Sequence, residues 1–174
     1  MTENSGGTIE GTLHSDDGEG VVRMKVRFAT GVDDLWSALT TPQRLARWYG
    51  NIAGDLRVGG EFTAFVPSSG WDGRGRVEAC DPRRHLRVTM WEEEGAQGPI
   101  EAELMADGDG AILLFEKRGI PADLAWAYGA GWQAHFEDLV AHLAGRDRTD
   151  LADGWNSRFD ELEPSYREMP VVPV

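Results

Sequence analysis

Four histidines, one cysteine and a row of strand-borne glutamates are the side chains of this sequence best suited to chemistry. His135 and His142 fall on nearly the same face of one helix, but seven residues apart. That spacing separates them by about 10 Å along the axis, whereas a single zinc ion needs ligands at i, i+3 or i, i+4 with a carboxylate beside them. Cys80 stands alone, which excludes an internal disulfide and any site built on two thiolates. Ser68 and Ser69 have no histidine or aspartate at a spacing that marks a nucleophile, and Cys80 lacks a basic neighbour in sequence. Glu61, Glu78, Glu101 and Glu116 invite a paired-carboxylate reading, which requires one acid to be buried and both to face one space. The strand phasing instead turns Glu78, Glu101 and Glu103 outward. No glycine cluster follows a strand and opens a helix with a Lys-Ser/Thr ending, so no phosphate loop is present. These spacings assign no catalytic residue, no metal ligand and no cofactor, and leave open only groups that folding brings together.

The apolar side chains say more. Seven tryptophans are a heavy load for 174 residues, and each offers a large apolar body with a polar N–H, suited to a core, an interface or a pocket. Trp48, Phe62, Trp91, Leu104, Phe115, Trp132 and Phe136 are candidates for the walls of an apolar ligand cavity, with Lys117 and His135 as its polar members. For any one of these rings, filling a core is the ordinary alternative. Trp132 and Phe136 are the stronger candidates, because both lie on the helix that would close the cavity.

Charge narrows the partners. Thirty acidic against 17 basic residues give a net charge of −13, and nucleic-acid binding needs clustered Lys and Arg to release counterions. The one basic cluster, Arg83-Arg84-His85 with Arg87, is small, so no nucleic-acid partner is expected. No apolar run approaches the roughly 20 residues of a membrane span, and Met1–Gly7 lacks the basic head and apolar stretch of a signal peptide. The expectation is a soluble, cytoplasmic, single-domain protein. The acidic stretch from Glu92 to Asp109 reads as a solvated face, or as a patch for a basic partner protein.

The elements that must position these residues follow from periodicity. Residues 1–7 read as a frayed, disordered tail. Thr8–His14 and Val21–Phe28 alternate with period two around a turn, and form a hairpin. Gly31–Thr40 shifts to helical spacing, and Thr41-Pro42 restarts a second short helix, with proline at its first position. Asn51–Val58 and Glu61–Val66 flank Gly59-Gly60 as a two-residue hairpin turn. Pro67–Gly73 reads as a loop, followed by strands at Arg74–Cys80, His85–Trp91, Ile100–Met105 and Ala111–Lys117. Such short connections make an antiparallel meander. Pro121–Ala144 is a long helix whose apolar residues Tyr128, Trp132, Phe136, Leu139 and Leu143 all fall within about 40° of Trp132. In the extension 146–174, Trp155, Phe159, Leu162 and Tyr166 mark a short amphipathic helix stopped or kinked near Pro164.

A sheet buries one face only, so the long helix must lie against it. The fold class is α+β. Five segments carry a resemblance in the same order: Val32–Thr41 (VDDLWSALTT), Pro42–Trp48 (PQRLARW), Asp55–Phe62 (DLRVGGEF), Gly75–Pro82 (GRVEACDP) and Gly131–Leu143 (GWQAHFEDLVAHL). Together they resemble bacterial homologues of the C-terminal domain of the activator of heat-shock-protein-90 ATPase, within the START-like (SRPBCC) helix-grip superfamily. The likeness covers roughly residues 8–145. It implies a strongly curved antiparallel sheet wrapped around the long helix, with a cavity beneath that helix, and it implies small-molecule binding. One position departs from the pattern. Lys117 stands where many relatives carry a histidine before a glycine, and is either a changed polar anchor or a solvated strand end. The rarity of buried, unpaired lysine favours the solvated end.

Three functions remain in view. The first is a domain that binds an apolar or aromatic small molecule, with Trp48 and Trp132 as main walls. The second is a cyclase- or aromatase-like enzyme on the same fold, which would need an ionisable group inside the cavity. The third, implied by the family name, is a co-chaperone-like module with a chaperone or other protein as partner. The extension also offers a surface for a homodimer.

Overall fold

The computed structural model describes residues 2–4, 6–93, 98–147 and 151–174. Its chain order is β1 (Thr2–Asn4), β2 (Gly7–Asp16), β3 (Glu19–Phe28), α1 (Val32–Thr40), α2 (Pro42–Trp48), β4 (Asn51–Gly54), β5 (Glu61–Val66), β6 (Trp71–Asp81), β7 (His85–Trp91), β8 (Gly98–Asp107), β9 (Gly110–Pro121), α3 (Ala125–Leu143), α4 (Leu151–Glu168) and β10 (Val171–Pro173). A 3-10 turn, Ala122–Leu124, joins β9 to α3.

The strands form one sheet in the order β1-β2-β3-β9-β8-β7-β6-β5-β4. All of these pairs are antiparallel. The α+β helix-grip expectation is met: a large, curved, unclosed sheet holds a long helix on its concave side. Two register shifts, between Gly20 and Val22 and between Val77 and Ala79, mark where extra residues add bend and twist. The alternation in β9 shows the two faces. Ala111, Leu113, Phe115 and Lys117 are buried, whereas Leu114, Glu116 and Arg118 are only partly so.

Several expectations need correction. The tail contains a strand, since Thr2–Asn4 pairs with Gly7–Ile9 of β2; Met1 and Ser5 lie outside the described residues. The Gly59-Gly60 turn is part of a longer loop, residues 55–60, because β4 ends at Gly54. Asp55 takes a backbone N–H and two guanidinium bonds from Arg57, and the Gly59 amide bonds across to Val77 of β6. A side-chain-built loop has thus displaced the tight turn. Trp71 opens β6 rather than sitting in a loop. Part of the acidic stretch, residues 94–97, lies outside the described residues.

The ends of α3 explain its length. Pro121 is spent on β9, so the helix begins at Ala125. At its C-terminus Gly145 takes φ +72°, the Gly145 amide bonds His142 O, and the Arg146 amide bonds Ala141 O. This double bond pattern around a left-handed glycine stops the helix and satisfies its last carbonyls.

The extension departs most from expectation. Helix α4 is 18 residues long and runs through Pro164. It packs on α3 through buried Trp155, Leu162 and Tyr166. Trp155 Nε1 donates to Gly131 O at 3.1 Å. Arg158 makes a two-pronged bond to the buried Glu137 carboxylate at 2.6 and 2.9 Å. Arg167 stacks 3.5 Å over the Trp126 ring. β10 then adds to β2 in parallel, Val171 facing Leu13. No helix among the described residues is long and apolar enough to cross a membrane.

Candidate functional site

Between the concave sheet and α3 lie two chambers. The inner one measures about 280 Å³, reaches the surface at Cys80 and Pro82, and apart from Thr40, Cys80 and the Tyr49 hydroxyl has apolar walls. The outer one measures about 480 Å³ and includes Ser69, Glu92, Lys117, Tyr128 and His135. They share Tyr49, Met90, Ile100 and Trp132 as lining residues.

Periodicity accounts for this arrangement. On β7, Leu86, Val88 and Met90 line the inner chamber at every second residue. On β9, Leu113 and Phe115 line the inner chamber, and the same face continues as Lys117, Gly119 and Pro121 in the outer one. On α3, Trp132 and Phe136 face inward one turn apart, while Ala127, Tyr128, Gly131 and His135 turn toward the outer chamber. Gly75 leaves room on β6 for the Phe62 ring, which a Cβ there would strike.

Ring contacts hold the walls in place. Tyr49 and Trp132 stack with centroids 5.4 Å apart and planes at 14°, and form the partition between the chambers. Phe115 packs against Trp132 at 4.5 Å and edge-on against Phe136 at 4.9 Å. Trp48 stacks on Phe136 and donates its indole N–H to Ala38 O at 2.9 Å, which pins α2 to α1. Arg44 reinforces that pairing by donating to Asp34 Oδ1 at 2.7 Å, and ties α2 to α3 by donating to His142 Nε2 at 3.1 Å.

Of the expected wall residues, the structure brings together Trp48, Phe62, Phe115, Trp132 and Phe136 around the inner chamber, and Lys117, His135 and Trp132 around the outer. Trp91 and Leu104 line neither. Trp91 follows Met90 on β7, so strand alternation sends it to the opposite face. Leu104 shares the face of Ile100 and Ala102 but lies beyond the inner chamber, in a surface groove with Val32 and Asp33. Tyr49, Trp36 and Trp71 line the hollow without having been singled out. Tyr49 adjoins Trp48 at the end of α2, and that adjacency was the available signal.

The polar members carry unusual electrostatics. Lys117 is nine-tenths buried, against the favoured reading of a solvated strand end. Burial alone pushes its ammonium down to about 8. Its Nζ lies where a side chain on Gly98 would otherwise stand. His135 is buried, packs against Tyr49 at 5.1 Å, and is driven by burial down to about 3, a backbone bond with Trp48 acting in the opposite direction. Its Nδ1 has no hydrogen-bond partner among the described residues. Burial also raises the Tyr49 hydroxyl, so that it stays neutral.

The remaining candidates are dispersed. His142 bonds Asp147 at 2.6 Å, away from His135. Glu61, Glu101 and Glu116 pair with Arg76, His85 and Arg23 respectively, and Glu78 is exposed. Among the described residues no group of three or more His, Cys, Asp or Glu is placed to hold a metal ion.

Comparison with known proteins agrees with this architecture. The family described as "Activator of Hsp90 ATPase homolog 1-like protein" matches residues 29–144. The chain is similar to CalU16 from Micromonospora echinospora at 22% identity. The CalU16 solution structure gives a TM-score of 0.73 and covers 97% of this chain and 100% of that one. DynU16, from the dynemicin biosynthetic locus, gives 23% identity and a TM-score of 0.68 over 76% of this chain and 49% of that one. The Aha1 dimer from Colwellia psychrerythraea gives 17% identity and a TM-score of 0.62 over 71% of this chain and 95% of that one. No curated protein matches the sequence.

Proposed function

The chain belongs to the activator of Hsp90 ATPase homolog 1-like family, and from that premise and the hollow beneath α3 we propose that it binds an apolar, ring-bearing small molecule. The observation that carries this reading is the inner chamber, apolar on nearly every side and adjoining a more polar outer one across Tyr49 and Trp132. Small-molecule sites have this character: mostly hydrophobic and aromatic walls with a few placed polar groups. Affinity would come from removing apolar surface from water, at about 25 cal/mol per Å² before the costs of ordering.

A second reading, a cyclase-like enzyme, is favoured by Lys117 and His135 lining the outer chamber. The chemistry weakens it. A histidine held near 3 is a poor base at neutral pH, because general bases work best with a pKa near the operating pH, which leaves Lys117, pushed down to about 8, as the single lining group among the described residues suited to proton transfer. Binding is the stronger reading.

Tryptophan fluorescence tests it. Neutral two- and three-ring aromatics titrated into the protein should perturb the emission of Trp36, Trp48 and Trp132 and raise the melting temperature. A broad panel that leaves both unchanged removes this function.

A further inference from the structure

Resting on that reading, we propose that the ligand is a carboxylic acid whose apolar body fills the inner chamber while its carboxylate sits in the outer chamber against the Lys117 ammonium.

The argument begins with an imbalance. Lysine is almost never buried without a partner, because desolvating an ammonium is costly. Lys117 is nine-tenths buried, yet among the described residues no ion pair to it forms and nothing but desolvation acts on its charge. A carboxylate arriving from solution would supply the missing counter-charge through a charge-assisted hydrogen bond.

Placement makes one ligand serve both chambers. Phe115 and Lys117 are neighbours on one face of β9, two residues apart, the first lining the apolar room and the second the polar one. Successive same-face residues stand about 6.6 Å apart, which suits a short linker between ring system and acid. Among the described lining residues Lys117 is the one cation, since His135 is neutral and Tyr49 and Tyr128 keep their protons. Glu92 also lines the outer chamber, but it is solvent-exposed, so water and salt screen its repulsion.

The test uses the full chain and three matched pairs of probes, each a carboxylic acid and its primary alcohol, with biphenyl, naphthyl or decyl bodies. At pH 7 at least one acid should bind about ten-fold more tightly than its alcohol. In Lys117→Met, and in Lys117→Gln as a second variant, that advantage should vanish while the alcohol's affinity changes by less than about three-fold. Equal binding of acid and alcohol to the wild type overturns the proposal and leaves the ligand-binding reading standing. So does an acid preference that survives both substitutions. If no probe binds either protein, the proposal falls together with the reading beneath it.

Discussion

The Tyr166 hydroxyl donates a 2.7 Å hydrogen bond to Gln133 Oε1 in the buried seam between α4 and α3. The ring is seated by two glycines, Gly11 on β2 and Gly129 on α3, whose missing side chains would otherwise collide with it. Tyr166→Phe should therefore cost about 1–1.5 kcal/mol, the ordinary net worth of such a bond. Gly11→Ala should cost more, because its new methyl would strike the Tyr166 hydroxyl. In the Tyr166→Phe background that oxygen is gone and the nearest ring carbon is 3.3 Å away. Urea denaturation of the double-mutant cycle should show Gly11→Ala less harmful there; strictly additive losses would contradict the contact.

Arg158 and Glu137 clamp the same seam. Glu137 is all but fully buried and its two oxygens take Arg158 Nε and Nη2. Removing the guanidinium leaves the buried carboxylate with only the weaker Gln133 Nε2 bond at 3.3 Å among the contacts described, so Arg158→Ala should lose about 2–4 kcal/mol. Replacing both partners, as Glu137→Leu with Arg158→Leu, should recover much of that loss. A double variant as weak as Arg158→Ala would show that the charge is not what matters.

How far this was legible in the sequence divides along physical lines. The meander, the two short helices and the stripe of Trp132, Phe136 and Leu139 are carried by local periodicity, which one strand or helix expresses by itself. Of the seven aromatic residues that line the inner chamber, Trp48, Phe62, Phe115, Trp132 and Phe136 were among the candidates and Trp36 and Tyr49 were not. Trp91 was misplaced by one step of strand alternation, an error that Met90 beside it could have corrected. Burial of Lys117 was not legible, because it depends on how far the sheet curls over β9. The apolar stripe of α4, with Trp155, Leu162 and Tyr166, was legible in the same way, whereas its polar partners were hidden, since Glu137–Arg158 and Gln133–Tyr166 join residues 21 and 33 apart, a separation that no local period marks.

The inner chamber predicts a separation of stability from binding. Ala102 lines it from β8 and is buried. Ala102→Leu would place three further carbons into a space of about 280 Å³. Filling a void commonly stabilises a fold or leaves it unchanged, so the melting temperature should hold or rise. Ligand affinity should fall about ten-fold or more, as the body of the guest loses its room. Calorimetric titration beside a thermal melt reads both; retained affinity would place the guest elsewhere.

Burial of Lys117 carries a cost in the folded protein. Its folded pKa of about 8 lies below the ordinary 10.5. Between those values the unfolded chain holds more protons, so stability attributable to Lys117 rises with pH from 8 to 10.5 and is least below 8. Lys117→Met should thus be more stable than the wild type at pH 7, by about 1–3 kcal/mol. The gap should narrow toward pH 10. Chemical denaturation at pH 7 and pH 10 decides it, and a methionine variant weaker at pH 7 would mean the amine has a stabilising partner.

His135 acts at the opposite end of the scale. Burial holds its imidazole at about 3, against 6.5 for a free side chain. As pH drops below 6.5 the unfolded chain takes up this proton while the folded chain refuses it until near 3. The unfolded state is therefore favoured progressively across that window, by up to about 1.4 kcal/mol per pH unit. Above 6.5 both states are neutral here and the slope vanishes. His135→Gln keeps a side-chain N–H for the Trp48 backbone but has nothing to titrate. Its stability deficit relative to wild type, measured by urea denaturation, should shrink by about 2–3 kcal/mol between pH 7 and pH 4.5. Because the carboxylates titrate alike in both proteins, the difference isolates His135. A deficit that stays constant with pH would mean that the imidazole already reaches water and takes up its proton while the protein is folded.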